Sequence, residues 1–269
     1  EAHMVYQFAL PPLVLHSFVA GDASRLSAWA ASLEDLGTDA TWFNFLASHD
    51  GIGMRPATGL LDPSEMEQVA QRVLEHGGRA SYASEPDGSS SVYELNSSYL
   101  DALVEPARID DVDHVVRRAL AAHGILLSVI GVPAIYYHSL FGSSHDVAAA
   151  EATGIARRIN RARLDADALM SELDTSARRA GIFGGLTHML RIRAQQPAFD
   201  PFSPQEVLDL GPALFAVRRG AGADSVVAVI NVSGEDAVVP TVSGRDLLTG
   251  ATKQPGFTLP ADGIAWLRQ

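Results

Sequence analysis

The chain has 269 residues, no cysteine and a formal net charge of −12. The lack of cysteine excludes disulfides and thiolate metal sites, and the acidic balance argues against general nucleic-acid binding, which needs a basic face. Hydrophobic residues at 47% supply a core for one large domain or two moderate ones. No apolar run approaches the roughly 20 residues of a membrane span. Residues 1–20 carry no basic run ahead of an apolar one, so the expected location is the cytoplasm.

Val5 to Leu10 reads as a buried strand, and Pro11-Pro12 opens a helix that continues from Leu13 to Phe18. A chain that starts at Glu1, almost inside a core strand, is expected to be a piece of something longer. Asp22 caps a helix bearing Leu26, Trp29, Leu33 and Leu36 at helical spacing, ended by Gly37. Residues 42–47 form an apolar strand, and His49-Asp50-Gly51-Ile52-Gly53 then demands turn geometry. The strand therefore delivers an imidazole and a carboxylate to its carboxyl end, where ligands sit in parallel α/β folds. Asp62-Pro63-Ser64-Glu65 starts the next helix with a cap, a proline and an acid in their favoured places.

Residues 79–91 are polar and without periodicity. Val92–Asn96 is short and extended, and Tyr99–Leu103 is a short helix. Asp110 or Asp111 starts a long helix that runs to Val129, where Gly131-Val132-Pro133 breaks it. Ala134–Tyr137 is a second short strand, followed by a turn-rich loop from His138 to Asp146. Arg157 and Arg161 lie in a helix or turn around Ile159. Asp165 caps a helix to Leu173, and residues 176–196 form a long helix whose Gly181, Gly184 and Gly185 suggest close packing. After Pro204 the pattern changes to short β runs at 207–210, 213–219, 225–231, 237–240 and 264–267, the spacing of an antiparallel sheet. The alternation before residue 200 predicts a parallel α/β unit. It holds three strand–helix units, too few for a closed barrel.

Read alone, His49-Asp50 is either a turn aspartate with a surface histidine or a pair placed to contact a sugar and its positively charged transition state. Arg157 and Arg161 are either a solvated helix face or a clamp for an anion or hydroxyl. Tyr93-Glu94 fits either a core strand or a loop that stacks on a sugar. His138 and His145 lie seven residues apart with no carboxylate ligand between them, which is poor metal spacing. There is no glycine-rich phosphate loop and no Gly-x-Ser-x-Gly elbow.

The stretch Phe43 to Gly53 resembles the seventh-strand motif of glycoside hydrolase family 13, and its Gly51-Ile52-Gly53 tail resembles the sucrose phosphorylase subfamily. Four collinear matches accompany it: Tyr6–Pro11 with strand six, Tyr93–Ser97 with the insert after strand seven, Gly131–Tyr137 with strand eight, and Arg157–Arg161 with the arginine motif that follows. The resemblance implies the C-terminal part, strands 6–8, of a (β/α)8 TIM barrel with an inserted subdomain after strand 7 and a C-terminal antiparallel β domain. The implied division is residues 1–50 for strands 6 and 7, 51–108 for the insert, 109–202 for strand 8 and its helices, and 203–269 for the β domain.

The same resemblance implies a retaining double displacement in which phosphate takes the glucosyl group, with no cofactor or metal. Asp50 becomes the transition-state stabiliser, with His49, Arg157, Tyr93, Glu94 and His138 as substrate-binding residues. Glu94 stands where sucrose phosphorylases carry a glutamine, and a free carboxylate there would repel phosphate. The nucleophile and general acid belong to strands four and five, outside this chain, so the chain alone is expected to be inactive. An upstream strand ending in an Arg-x-Asp motif and another carrying a glutamate are expected before Glu1.

The loop after Tyr137 is more similar to glucosylglycerate phosphorylases, which makes D-glycerate the expected acceptor, with His138 or a nearby base neutralising it. Sucrose, sucrose 6-phosphate and glucosylglycerol phosphorylases are the alternatives within the subfamily. A hydrolase of the same superfamily and a non-catalytic remnant are the alternatives outside it. The expected partners are a small-molecule glucoside, inorganic phosphate, the missing N-terminal barrel half and, in one arrangement, a second copy in a homodimer. No nucleic acid or membrane is expected.

Overall fold

Residues 2–84 and 88–269 are described in the computed structural model. Strand β1 (Met4–Tyr6) leads to helices α1 (Leu10–Ala20) and α2 (Ser24–Ala31), then strands β2 (Thr41–Phe45) and β3 (Ile52–Gly53). Helix α3 (Pro63–Glu75), strands β4 (Arg79–Ser84) and β5 (Ser90–Asn96), and the single turn α4 (Tyr99–Ala102) come next. The long helix α5 (Val112–Ser128) precedes β6 (Val132–Ala134), α6 (Tyr137–Leu140), α7 (Val147–Thr153), α8 (Ala166–Thr175) and α9 (Ala177–Arg193). The remaining strands are β7 (Gln205–Val207), β8 (Leu214–Arg219), β9 (Val226–Asn231), β10 (Ala237–Val239), β11 (Gly244–Asp246), β12 (Thr252–Lys253), β13 (Phe257–Leu259) and β14 (Ile264–Arg268).

Strands β1, β2 and β6 pair in parallel in that order, with Tyr6 beside Phe43 and Phe45 beside Ala134. Parallel neighbours need a crossover, and α1–α2 and then α5 supply it. Strands β3, β5 and β4 form a separate antiparallel sheet, and the C-terminal strands build a six-stranded antiparallel sheet in the order β12-β11-β14-β9-β8-β7. One face of that sheet, with Phe215, Val217, Ala228, Ile230 and Trp266, joins the main core under α5. Its other face, with Ala216, Val227, Val229 and Leu267, buries Val239 of β10 and Leu259 of β13. The period-2 alternation along β9 sends successive residues into the two cores. No helix among the described residues is long and apolar enough to cross a membrane.

Several boundaries differ from the sequence reading for local reasons. The expected buried strand 5–10 is a three-residue strand, because Pro11 and Pro12 preset the first turn of α1 and draw Leu10 into it. Its residues are exposed, Tyr6 at 57%, since β2 is its one partner strand among the described residues. Helix α2 stops at Ala31, ahead of Leu33 and Leu36. The second strand occupies 132–134 rather than 134–137, and Tyr137 begins α6, because pairing with β2 sets the register at Val132. Residues 79–84, read as irregular, form β4: its side chains are mostly exposed, so no apolar periodicity marks it. Gly181 and Gly185 do allow close packing, since a Cβ there would lie 2.9 Å from Val116 and 2.5 Å from Leu120 of α5. Gly184 faces open space and has no such role. Glu1 and residues 85–87, which fall within stretches read above, lie outside the described residues.

A buried charge cluster fastens the α/β part to the C-terminal sheet. Arg118 of α5, 1% exposed, donates through Nε to Asp262 Oδ1 at 2.9 Å and through Nη1 to the carbonyls of Phe18 and Leu103, both at 3.1 Å. Its Nη1 also lies 3.0 Å from Glu105 Oε1. His114, one turn earlier, stands between Glu105 (2.8 Å) and Asp262 (3.1 Å). Asp262 precedes β14, so its carboxylate ties the sheet domain to α5, and Arg118 carries the link on to α1 and the segment after α4. Breaking a buried pair strands its partner's charge, at a cost of about 3–5 kcal/mol. Asp262→Ala is expected to lower stability by about that amount in denaturant melts, and a loss below ~1 kcal/mol would show that the cluster does not join the two parts.

Candidate active site

The parallel strands end on one side, and the segments beyond their carboxyl ends meet there. Past β2, Leu46 is buried and the chain turns through Ala47-Ser48-His49-Asp50, with the Asp50 amide donating to Ser48 Oγ at 3.1 Å. Gly51 then lets the chain double back as β3, which pairs with β5 so that Gly53 lies beside Glu94. A Cβ at Gly51 would sit 2.3 Å from Glu94 Oε1, so the Glu94 carboxylate occupies space that only glycine leaves open. The 3-10 turn Ala156–Asn160, far along the chain, completes the site from the opposite side.

Arg157 lies at the centre. Its Nε and Nη2 donate to Glu94 Oε1 and Oε2, both at 2.9 Å, and its Nη1 donates to Asp50 Oδ1 at 2.8 Å. The two-pronged bond to Glu94 fixes the guanidinium plane and leaves its remaining edge on Asp50. Arg161 adds a bond from Nη2 to Asp50 Oδ1 at 3.3 Å and one from Nε to the His49 carbonyl. Two guanidinium groups thus face two carboxylates. The Arg157 bonds hold the Glu94 carboxyl below its ordinary range, and those to Glu94 raise Arg157 in turn. Glu94 is therefore an ion-paired, largely buried group, with its side chain 13% exposed.

Asp50 keeps 45% of its side chain exposed and His49 keeps 71%, with His49 Nε2 3.6 Å from Asp50 Oδ2. Both open onto a cleft of about 430 Å³ walled by Tyr6, Phe8, Phe43 and Phe45. Tyr136 lines the same cleft, its hydroxyl donating to the Asn160 carbonyl at 3.1 Å and its pKa pushed up to about 12 by burial. Tyr93 is half-exposed beneath the guanidinium of Arg55, 5.4 Å from the ring centroid. His138 is 6% exposed, with Nδ1 2.9 Å from Ser143 Oγ. The structure thus joins His49, Asp50, Glu94, Arg157 and Arg161 in one cluster and places Tyr93 on the strand beside it. His138 lies behind it.

The sequence reading missed Asn160, whose side-chain amide donates to the carbonyls of Ser48 (3.1 Å) and Asp50 (2.9 Å) and so pins the turn that carries the carboxylate. Its place inside the Arg157–Arg161 motif was the available signal.

No family model matches the chain. A glucosylglycerate phosphorylase of Allomeiothermus silvanus is 46% identical over 251 residues, covering 93% of this chain and 45% of that protein. One from Spirochaeta thermophila is 42% identical over 236 residues, 87% and 40% of the two lengths. The chain spans rather less than half the length of these curated relatives. Among solved structures, the sucrose 6F-phosphate phosphorylase from Thermoanaerobacter thermosaccharolyticum superposes with a TM-score of 0.71 at 21% identity, covering 85% of this chain and 43% of that one. The fold is accordingly a partial TIM barrel followed by a sheet domain.

The ion pair generates a pH-dependent expectation. The folded Glu94 carboxyl titrates below its ordinary value of 4.5, so its contribution to stability is full above that value and is lost as pH falls through the folded one. Glu94→Gln removes the contribution. The gap in melting temperature between the parent and this variant is expected to narrow as pH falls below 4.5, and a gap that holds or widens there would contradict the pairing.

Proposed function

We infer, from relatives 46% and 42% identical over most of this chain, that it belongs to the sucrose phosphorylase subfamily of glycoside hydrolase family 13 and is the C-terminal portion of a retaining α-glucoside phosphorylase. The donor is glucosylglycerate, and transfer of its glucosyl group to inorganic phosphate gives α-glucose 1-phosphate and D-glycerate. The observation that carries the reading is the Asp50 carboxylate, held beyond the end of β2 by Arg157 and open to a large cleft. The relatives named glucosylglycerate phosphorylases support the choice of donor.

In this reading β1, β2 and β6 are barrel strands six to eight, β3–β5 belong to the inserted subdomain, and the sheet of β7–β14 is the C-terminal domain. Asp50 binds donor-sugar hydroxyls and stabilises the positive charge that develops at the anomeric carbon. It does not form the covalent bond. His49, more exposed than Asp50, donates to the same ring. Arg157 orients Asp50 while Glu94 balances its charge, and Tyr93 flanks the sugar. The nucleophile and the general acid come from the barrel half outside this chain, without which the chain does not turn over. The exposed apolar edge of β1, with Met4 at 47% and Tyr6 at 57%, is where that half pairs and packs. The protein acts in the cytoplasm.

The test is release of glucose 1-phosphate by the full-length protein, supplied with inorganic phosphate and either glucosylglycerate or sucrose. Release is expected to depend on phosphate and to run at least about tenfold faster from glucosylglycerate, the low end of what a substrate pocket discriminates. Faster release from sucrose would overturn the donor, and no phosphate-dependent release from either would overturn the activity.

A further inference from the structure

Behind the Asp50 turn lies a cavity of about 10 Å³, lined by Ala47, Tyr99, Tyr136, His138, Ser143 and Asn160. That is about the smallest space that holds one water. Two of its lining residues, His138 at 6% exposure and Asn160 at 9%, each carry a fully buried polar atom without a protein partner: Nε2 of His138 and Oδ1 of Asn160. Buried polar atoms are seldom left unpaired, and here two residues that line one water-sized space each carry one. The other ends of both side chains are engaged. His138 Nδ1 meets Ser143 Oγ at 2.9 Å, and the Ser143 carbonyl is itself held by Ser98 Oγ at 3.0 Å. Asn160 Nδ2 holds the carbonyls of Ser48 and Asp50.

We propose that His138 is a positioning residue for Asp50, acting through one buried water that bridges its Nε2 to Asn160 Oδ1. The proposal rests on the reading of Asp50 as the transition-state carboxylate. The protons balance along the relay: Ser143 Oγ–H donates to Nδ1, Nε2–H donates to the water, and the water donates to Oδ1. Oδ1 so engaged fixes the amide plane, and with it both N–H bonds to the turn. Burial, together with the charge of Arg179, lowers the pKa of His138, which keeps the ring neutral with one N–H as this relay requires. A side chain so enclosed organises the site from behind rather than meeting an acceptor.

The experiment uses the full-length protein with glucosylglycerate and phosphate. His138→Leu, which cannot donate, is expected to lower kcat by about 10- to 100-fold, the scale of a misplaced catalytic group, with KM for glucosylglycerate and for phosphate nearly unchanged. His138→Gln sets an amide N–H where Nε2 stood and is expected to restore most of kcat. A crystal structure of the parent is expected to show the bridging water. Equal losses in the Leu and Gln variants, an effect confined to KM for D-glycerate in the reverse direction, or no water in the cavity would each overturn the proposal. Failure of the underlying reading is distinguishable, because turnover would then persist without the Asp50 carboxylate.

Discussion

The site depends on one guanidinium shared between two carboxylates. Arg157 takes Glu94 with two of its N–H groups and Asp50 with a third, and by doing so joins the turn after β2, the strand β5 and the 3-10 turn at residues 156–160. Each partner would be a liability alone. Glu94 unpaired would be a largely buried charge with no counterion, and Asp50 unrestrained would swing on a turn. Arg161 and Asn160, from the same 3-10 turn, hold the backbone and so leave Asp50's second oxygen toward His49 and the cleft. The geometry thus fixes one oxygen of Asp50 while the side chain remains half-exposed.

The scaffold beneath is organised around α5. Its close contact with α9 runs through glycines at 181 and 185, its far face meets the six-stranded sheet, and its Arg118 is the hub of the buried charge cluster. Arg219 repeats the theme at the helix's carboxyl end, where its buried guanidinium donates to the carbonyls of Ser128, Asp200 and Ser203. A cation there is favoured by the unsatisfied carbonyls of the helix terminus. The sheet domain is therefore joined to the α/β part by specific polar contacts as well as apolar burial, which keeps β6 and the loop after it in register with β2.

Much of the site was legible because its pieces are short and locally coded. The apolar run from Trp42 followed by His49-Asp50-Gly51-Ile52-Gly53 announces a strand end, and Asp62 with Glu65 forms the reciprocal cap that its spacing predicts. What could not be read was pairing at a distance. Glu94 and Arg157 lie 63 residues apart and Arg118 and Asp262 lie 144 apart, and nothing in either local sequence names its partner. Read from the sequence, Glu94 is a free carboxylate; the structure pairs it with Arg157. Strand β4 escaped for another reason. Its side chains face solvent on an edge, so burial leaves no pattern to detect. Asn160 is uncharged and its partners are backbone carbonyls distant in sequence, so nothing but its place in the arginine motif marks it.

The central claim is that the carboxylate held by Arg157 does chemistry and is not merely one arm of a surface ion pair. The most direct measurement is the rate of phosphate-dependent glucose 1-phosphate release by the full-length protein carrying Asp50→Asn, with its melting temperature recorded alongside. The account predicts a fall of about 100- to 1000-fold or more, the scale of losing a transition-state charge partner, at nearly unchanged melting temperature. Turnover retained at more than a few per cent of the parent rate, in a variant that remains folded, would contradict it.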